Sequence, residues 1–484
     1  MKKVKKLLTI LTVLITITPM MVYAAPPTPP SGGAPGGAPG SSSTSVSYQG
    51  KTKISSDTTK DSQTYSSTTG SQNALLVSGG TSTLNSCTVT KSGSSSGDDA
   101  DFYGTNAAVL VYNGATLNLN KANITTNGAH ANAVFAYGKG KIKISDSTIK
   151  TTSNNSGAVM VTGGGTLTAN NVTAETEGNS SAPIRSDRGG GTLTVNGGTY
   201  TSHGTGSPVI YSTADITVND AALTSTASEG VVVEGKNSVT LNNVTMEATN
   251  TKLNGNSETY KSIFIYQSIS GDADVGTSSF TSKDSKIINN KGDIIFVTNT
   301  NTVINLENNE IINNDSTGNF LKIGAAKWGN SGSNGGNVTL KMTNQKAEGD
   351  ITVDKISTLD LSLSNKSVLK TSIDKENQAK QVNLSLSSDS VLVLTNDTYV
   401  DSLTNETTDN SNIYLNGHKL YVNGKETTAN TGTYTEKENT NNTSNKKETK
   451  NNKNNLVYII APSVAVLTLV TVILITIKKR KNNN

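Results

Sequence analysis

Side chains able to perform acid–base, metal or nucleophilic chemistry are thinly spread along the 484 residues. Apart from Arg480 near the C-terminus, the arginines are Arg185 and Arg188, which flank Asp187 ahead of Gly189, Gly190 and Gly191. A polysaccharide lyase needs such a base, together with Ca²⁺ or another cation to acidify the sugar proton. A glycoside hydrolase needs two carboxylates several ångströms apart. In a stacked fold these groups should recur on one face of neighbouring coils, and the sequence shows no such recurrence. The trio reads as a charged turn with an internal ion pair.

Asp98, Asp99 and Asp101 sit in a Ser/Gly-rich insertion. Three close carboxylates can contribute to a Ca²⁺ site, which takes roughly six to eight oxygens, but the composition favours an unordered acidic loop. Asp272 and Asp274 in Ser-Gly-Asp-Ala-Asp read the same way. His130, His203 and His418 share no metal-ligand spacing, and the first two read as solvated turn residues. There is no CxxC, HExxH, phosphate loop or GxSxG. The expectation is a protein that is not an enzyme, with no catalytic residue, metal or cofactor.

Aromatic residues remain as candidate ligand contacts. Tyr112, Tyr137 and Tyr211 each stand five residues before an apolar anchor described below, so the first two should stack in adjacent coils. A flat tyrosine stripe can hold sugar faces, and it can equally close a coil corner. Trp328 lies in the excursion from Gly324 to Asn337, too long for a tight turn. Tyr112, Tyr137 and Trp328 are therefore the expected binding residues, with Trp328 alternatively folding back as a cap.

What must position these residues is an internal repeat. Leu117, Ile142, Leu167, Leu193, Ile216 and Val239 form a column with steps of 25, 25, 26, 23 and 23 residues. Two positions on stand Leu119, Ile144, Ala169, Val195, Val218 and Leu241, and the next position is Asn in five of the six coils. Apolar residues return at five and seven positions past the anchor, as with Ala122 and Ile124. Leu84, Asn85, Cys87 and Val89 form an earlier copy, and Ile304, Leu340, Leu361 and Leu384 head later ones. Alternation with period two means strand. The Asn column suits a sharp bend, because a short amide tolerates the left-handed conformation and can bond to its stacked neighbours. Runs such as Ala107 to Tyr112, Ala133 to Tyr137 and Val209 to Tyr211 supply a third strand. A unit this short cannot bury its own core, whereas coils stacked about 4.8 Å apart can. The predicted fold is all-β, a right-handed parallel β-helix with about a dozen coils from Asn73 to Leu394, near 60 Å long.

The ends set the expected compartment. Lys2, Lys3, Lys5 and Lys6, the apolar run Leu7 to Thr18 and the site Val22-Tyr23-Ala24 have the order of a signal peptide over 1–24. Residues 25–47 are a Pro/Gly/Ser-rich leader, 48–434 the β-helix and 435–455 a polar stalk. Residues 456–477 carry no charge and suffice for one transmembrane helix, followed by the basic tail 478–484. The expected topology is a single-pass cell-membrane protein with its ectodomain outside. No LPxTG motif precedes the span. Removing the four lysines of the first segment and the four basic residues of the tail turns the net charge from +4 to −4. That leaves no basic field for nucleic acid. The single cysteine, Cys87, falls at an inward position and reads as a buried free thiol.

The strings NAAVLVYNG, NAVFAYGKG, DRGGGTLTVNGGTYTS, SPVIYSTADITV, IYQSISGDADVG and AAKWGNSGSNGGNVTL, within Asn106 to Ile373, resemble exported, adhesin-like bacterial right-handed β-helix proteins. The resemblance implies the fold and a surface role, and brings no ligand or catalytic residues. The same fold class includes pectate lyases and polygalacturonases, and fold alone does not transfer function. The expected function is a cell-surface structural or adhesive protein touching glycans or other surface polymers. The alternative is a polysaccharide lyase or glycoside hydrolase.

Overall fold

The computed structural model describes residues 46–255 and 257–436. The segments read as a signal peptide and as a transmembrane helix lie outside the described residues, as do nearly all of the leader and the stalk. Among the described residues no helix is long and apolar enough to cross a membrane. All but two of the described residues belong to one compact unit that ends at Tyr434.

This unit is a parallel β-solenoid. Each of the first twelve turns contributes one strand to a twelve-stranded sheet that begins with Gly50–Ile54, Asn73–Val77 and Val109–Val111 and ends with Ile351–Val353. Most turns also place two strands in a second sheet of 22 strands, as Thr116–Asn120 and Asn123–Thr126 do. Strand pairing is parallel throughout, save for the final hairpin Leu420–Val422 with Lys425–Glu426. The dozen coils expected between Asn73 and Leu394 are present. One more precedes them at Gly50–Ile54 and two follow at Thr398–Val400 and Leu420–Val422, giving about fifteen turns. At about 4.8 Å per turn the stack is about 70 Å tall.

The register follows the apolar column residue for residue. Leu117 pairs with Ile142, Ile142 with Leu167, Leu167 with Leu193, Leu193 with Ile216 and Ile216 with Val239. The column then passes through Phe280 to Ile304, Leu340, Leu361 and Leu384. Inward residues are almost fully buried while their neighbours face out, as in Lys141–Ser145. Each buried Leu or Ile stabilises the stack by about 1.5–3 kcal/mol. Cys87 is a buried free thiol in this core.

The asparagine column forms the expected ladder. The Asn196 amide donates to Asn170, Asn219 to Asn196 and Asn242 to Asn219, each at 2.9 Å. One expectation needs correction, because the left-handed residue at the bend is the one after the Asn. Lys121, Asp146, Asn171, Asp220 and Asn243 carry φ values of 50–54°. The Asn backbone stays extended at the strand end, leaving its amide free to reach the coil below. The bend column builds a second, exposed ladder, in which Asn171 donates to Asp146 at 2.9 Å and Asn243 to Asp220 at 2.7 Å.

Candidate binding face

The twelve-stranded sheet departs from simple alternation. Val109–Val111, Val159–Thr162 and Val231–Glu234 are buried at every position. A strand buried on both faces needs a cover, and here the cover is a set of excursions between turns. The outward column runs from Leu76 through Leu110, Phe135 and Met160 to Arg185, then through Tyr211, Val232 and Phe264 to Phe296. Its two ends are apolar and its centre is polar.

Leu76, Leu110, Phe135 and Met160 form one apolar patch with Ala107, against which Tyr48, Tyr112 and Tyr137 pack. Tyr48 lies 4.4 Å from Tyr112 and 6.3 Å from Tyr137, and Tyr103 meets Tyr137 edge-on at 5.5 Å. Tyr112 and Tyr137 therefore share an aromatic cluster whose faces are largely taken by two other tyrosines. Over this end lies the helix Asp98–Tyr103, which ends in left-handed Gly104 (φ 71°). A Cβ there would come within 2.9 Å of the Phe135 ring, so the chain must be glycine to leave the helix so close to the sheet.

Val232, Phe264 and Phe296 form the other patch, joined by Tyr211, Tyr266 and Trp328. The Trp328 ring sits 5.1 Å from Phe264 and 5.3 Å from Tyr266. It folds back onto the sheet, as its alternative reading held, and stays half-buried at the edge of a small hollow. Trp328 is thus in a different cluster from Tyr112 and Tyr137. Tyr211 also leaves the column expected for it. It pairs with Arg185, in line with Phe135 and not with Tyr137, because the corner between Tyr211 and Ile216 is two residues shorter than that between Phe135 and Ile142.

Between the two patches is a cleft of about 330 Å³ bounded by Asp101, Phe102, Arg185, Asp187, Tyr211, Asn254, Tyr266 and Asp272 among others. Arg185 pairs with Asp187 at 3.1 Å, as the charged-turn reading expected. Burial pushes the Asp187 carboxyl up to about 6, with Arg185 opposing the shift. Arg188 acts differently from its expected role. Its guanidinium bonds to Asp98 at 2.8 Å and to Asp272, and stands 3.9 Å over the Phe102 ring. The acidic insertion is therefore no unordered loop, since Asp98 and Asp101 lie in an ordered helix. Asp101 meets His130 Nδ1 at 2.7 Å, and His130 Nε2 lies 3.0 Å from the Asn155 amide. His130 is a largely buried clamp, 18% exposed, and not a solvated turn residue. His203 is an exposed turn residue near Glu175 and Thr226. Among the described residues no group of three or more His, Cys, Asp and Glu side chains gathers to hold a metal.

Two buried carboxylates escaped the sequence reading. Glu234 accepts hydrogen bonds from Tyr211 at 2.5 Å, from Tyr266 at 2.7 Å and from Ser268. Burial, reinforced by Glu234 among other groups, holds both phenols well above their ordinary range. Glu229 pairs with Lys261 at 3.0 Å, the lysine being 1% exposed. The signal for Glu234 and for Lys261 was present as charges inside apolar strands, in VVVEG and YKSIFIY, while Glu229 stands two residues before the first of these strands. No family model, curated protein or solved structure matches the chain, so the roles of these residues rest on their geometry.

Proposed function

We propose that the chain is a cell-surface adhesive protein whose solenoid presents the outer face of its twelve-stranded sheet to glycans or other surface polymers. The observation that carries this reading is where the excursions fall. The helix Asp98–Tyr103 and the loops bearing Asn254, Asp272 and Trp328 all fold over that one face. The 22-stranded sheet, by contrast, presents rows of Thr, Ser and Asn. In repeat proteins, insertions gather on the face that binds. Trp328 and Tyr266 offer an apolar wall beside hydrogen-bonding groups, and Tyr112 with Tyr137 a second aromatic patch. Single contacts of this kind are weak, and many anchored copies convert them into firm attachment.

Export by residues 1–24 and anchoring by residues 456–477 belong to the same proposal, supported by their hydropathy and flanking charge. So do right-handed winding, the hand of about 98% of crossovers between parallel strands, and the adhesin-like class. The test compares cells displaying the chain with the chain free in detergent, on immobilised glycans. Displayed chain binds firmly and free chain poorly, and Trp328→Ala lowers binding without lowering the melting temperature. Equal, negligible binding in both forms would sink the proposal.

The second reading, a polysaccharide hydrolase or lyase, is favoured by one observation, the raised carboxyl of Asp187 in the cleft between the two aromatic patches. Both oxygens of that carboxylate are already held, one by Arg185 and the other by the Arg188 amide at 3.1 Å. Release of new sugar ends by the chain, abolished by Asp187→Asn, would establish this reading in place of the first.

A further inference from the structure

We infer that the cleft takes a glycan free of carboxylates, laid along the stacking axis, and that its charge discriminates against polyuronates. This rests on the binding reading above and adds the ligand class. Asp101, Asp187 and Asp272 line the main cleft against one cation, Arg185. A neighbouring hollow of about 230 Å³ shares Asp272 and adds Asp215 and Asp274 against Lys236. A third, of about 90 Å³, shares Tyr211, Asn254 and Tyr266 with the main cleft and balances Glu229 with Lys261. Carboxylates outnumber cations along this run even when Arg188 at its rim is counted.

Ionic interactions in solution reach about 8 Å at physiological salt, so a sugar carboxylate entering the cleft meets this excess directly. A neutral ring meets none of that cost, and an amine is drawn in. The neutral lining suits hydroxyl groups, since Asn155, Ser180 and Asn254 offer donors and acceptors. Phe102 at one end and Trp328 at the other offer apolar surface. Asn155, Ser180, Gly206, Glu229 and Lys261 each precede or begin a strand of five successive turns, so the run extends for roughly 19 Å along the axis. That is a track for an extended chain, not a pocket for a single sugar.

The test uses the full chain solubilised in detergent and three probes of matched length: a chitin oligosaccharide, a chitosan oligosaccharide and an oligogalacturonate. The first two are expected to bind, with the chitosan signal falling as salt rises. The oligogalacturonate is expected to bind about tenfold more weakly at low salt. Asp215 and Asp274 are exposed rim residues, so Asp215→Lys with Asp274→Lys should fold, which a melting curve checks. That double variant is expected to gain oligogalacturonate binding and lose chitosan binding. Oligogalacturonate binding as tight as that of the other two, or binding indifferent to the charge reversal, would overturn the inference and leave the glycan reading standing. Failure of all three probes would also overturn the inference, and the glycan reading itself falls only when cells displaying the chain fail on immobilised glycans as well.

Discussion

Arg188 and Asp272 are joined by an ion pair across 84 residues of sequence, and the same guanidinium reaches back 90 residues to Asp98. One side chain thus ties a helix inserted early in the solenoid to a loop inserted late, over the cleft that lies between them. Neither excursion has a core of its own, so this latch and the Phe102 ring beneath it hold the roof in place.

Arg188→Ala is therefore expected to loosen the roof while sparing the rod. Half-exposed ion pairs contribute about 1 kcal/mol at most, so the main melting transition should move little. Hydrogen exchange should accelerate at 98–104 and 268–274 and stay unchanged in Gly165–Thr176. Uniform acceleration along the chain would show that Arg188 supports the solenoid itself.

Asp187 makes a pH prediction with a definite sign. Its folded carboxyl titrates at about 6, above the unfolded value, so the folded state binds the proton more tightly. Stability from this group therefore rises as pH falls from 7 towards 5, by about 1 kcal/mol. Asp187→Asn should remove that rise. Melting temperatures of both proteins at pH 7 and pH 5 check it, and parallel changes in the two would refute it.

Lys261 and Glu229 are buried together, so removing one charge strands the other. Lys261→Met alone, or Glu229→Leu alone, is expected to cost about 3–5 kcal/mol. The double substitution should cost markedly less than the sum, because the desolvation penalty of both ions disappears with them. A double-mutant cycle by denaturant unfolding measures the difference. Additive losses would mean that the two residues act through separate contacts.

The inward half of this architecture was legible in the sequence because period-two alternation, repeated at 23 to 26 residues, specifies which side of each strand meets the core. Leu117 and Ile142 could be paired by counting alone. The turn through Phe280 breaks the period because two loops, one carrying Asn254 and the other Asp272, stretch that step to 41 residues. The outward column was hidden for a different reason. Leu110, Phe135 and Phe264 face away from the rod's interior, and only the cover laid over them accounts for their chemistry. Unbroken apolar runs such as VLV and IFI were the available signal. Tyr211 was assigned by counting back from Ile216 through a corner that had lost two residues. Arg188 could not be placed, since both its partners sit in excursions whose path no periodicity dictates.

Lys60 gives the last prediction. The first described coil pairs Thr58–Asp61 with the strand Thr81–Asn85, which sets Lys60 opposite Leu84 in the inward column that continues to Leu119. Every later member of that column from Leu84 to Leu241 is buried, whereas Lys60 is exposed. A solenoid's terminal coil presents unpaired backbone groups that invite another chain, and an inward-pointing lysine makes such docking costly because its charge would have to be buried. The opposite end is closed by the antiparallel hairpin at Asn423 and Gly424, so the two ends solve the edge problem by different means. Lys60→Leu should extend the apolar column to the rim and leave the melting temperature unchanged or slightly raised. It should also add a concentration-dependent dimer in sedimentation velocity that Lys51→Leu, an exposed control in the strand before it, does not. Identical sedimentation of Lys60→Leu and the unsubstituted chain across a hundredfold concentration range, on the order of what resolves a micromolar equilibrium, would show that Lys60 does not guard the edge.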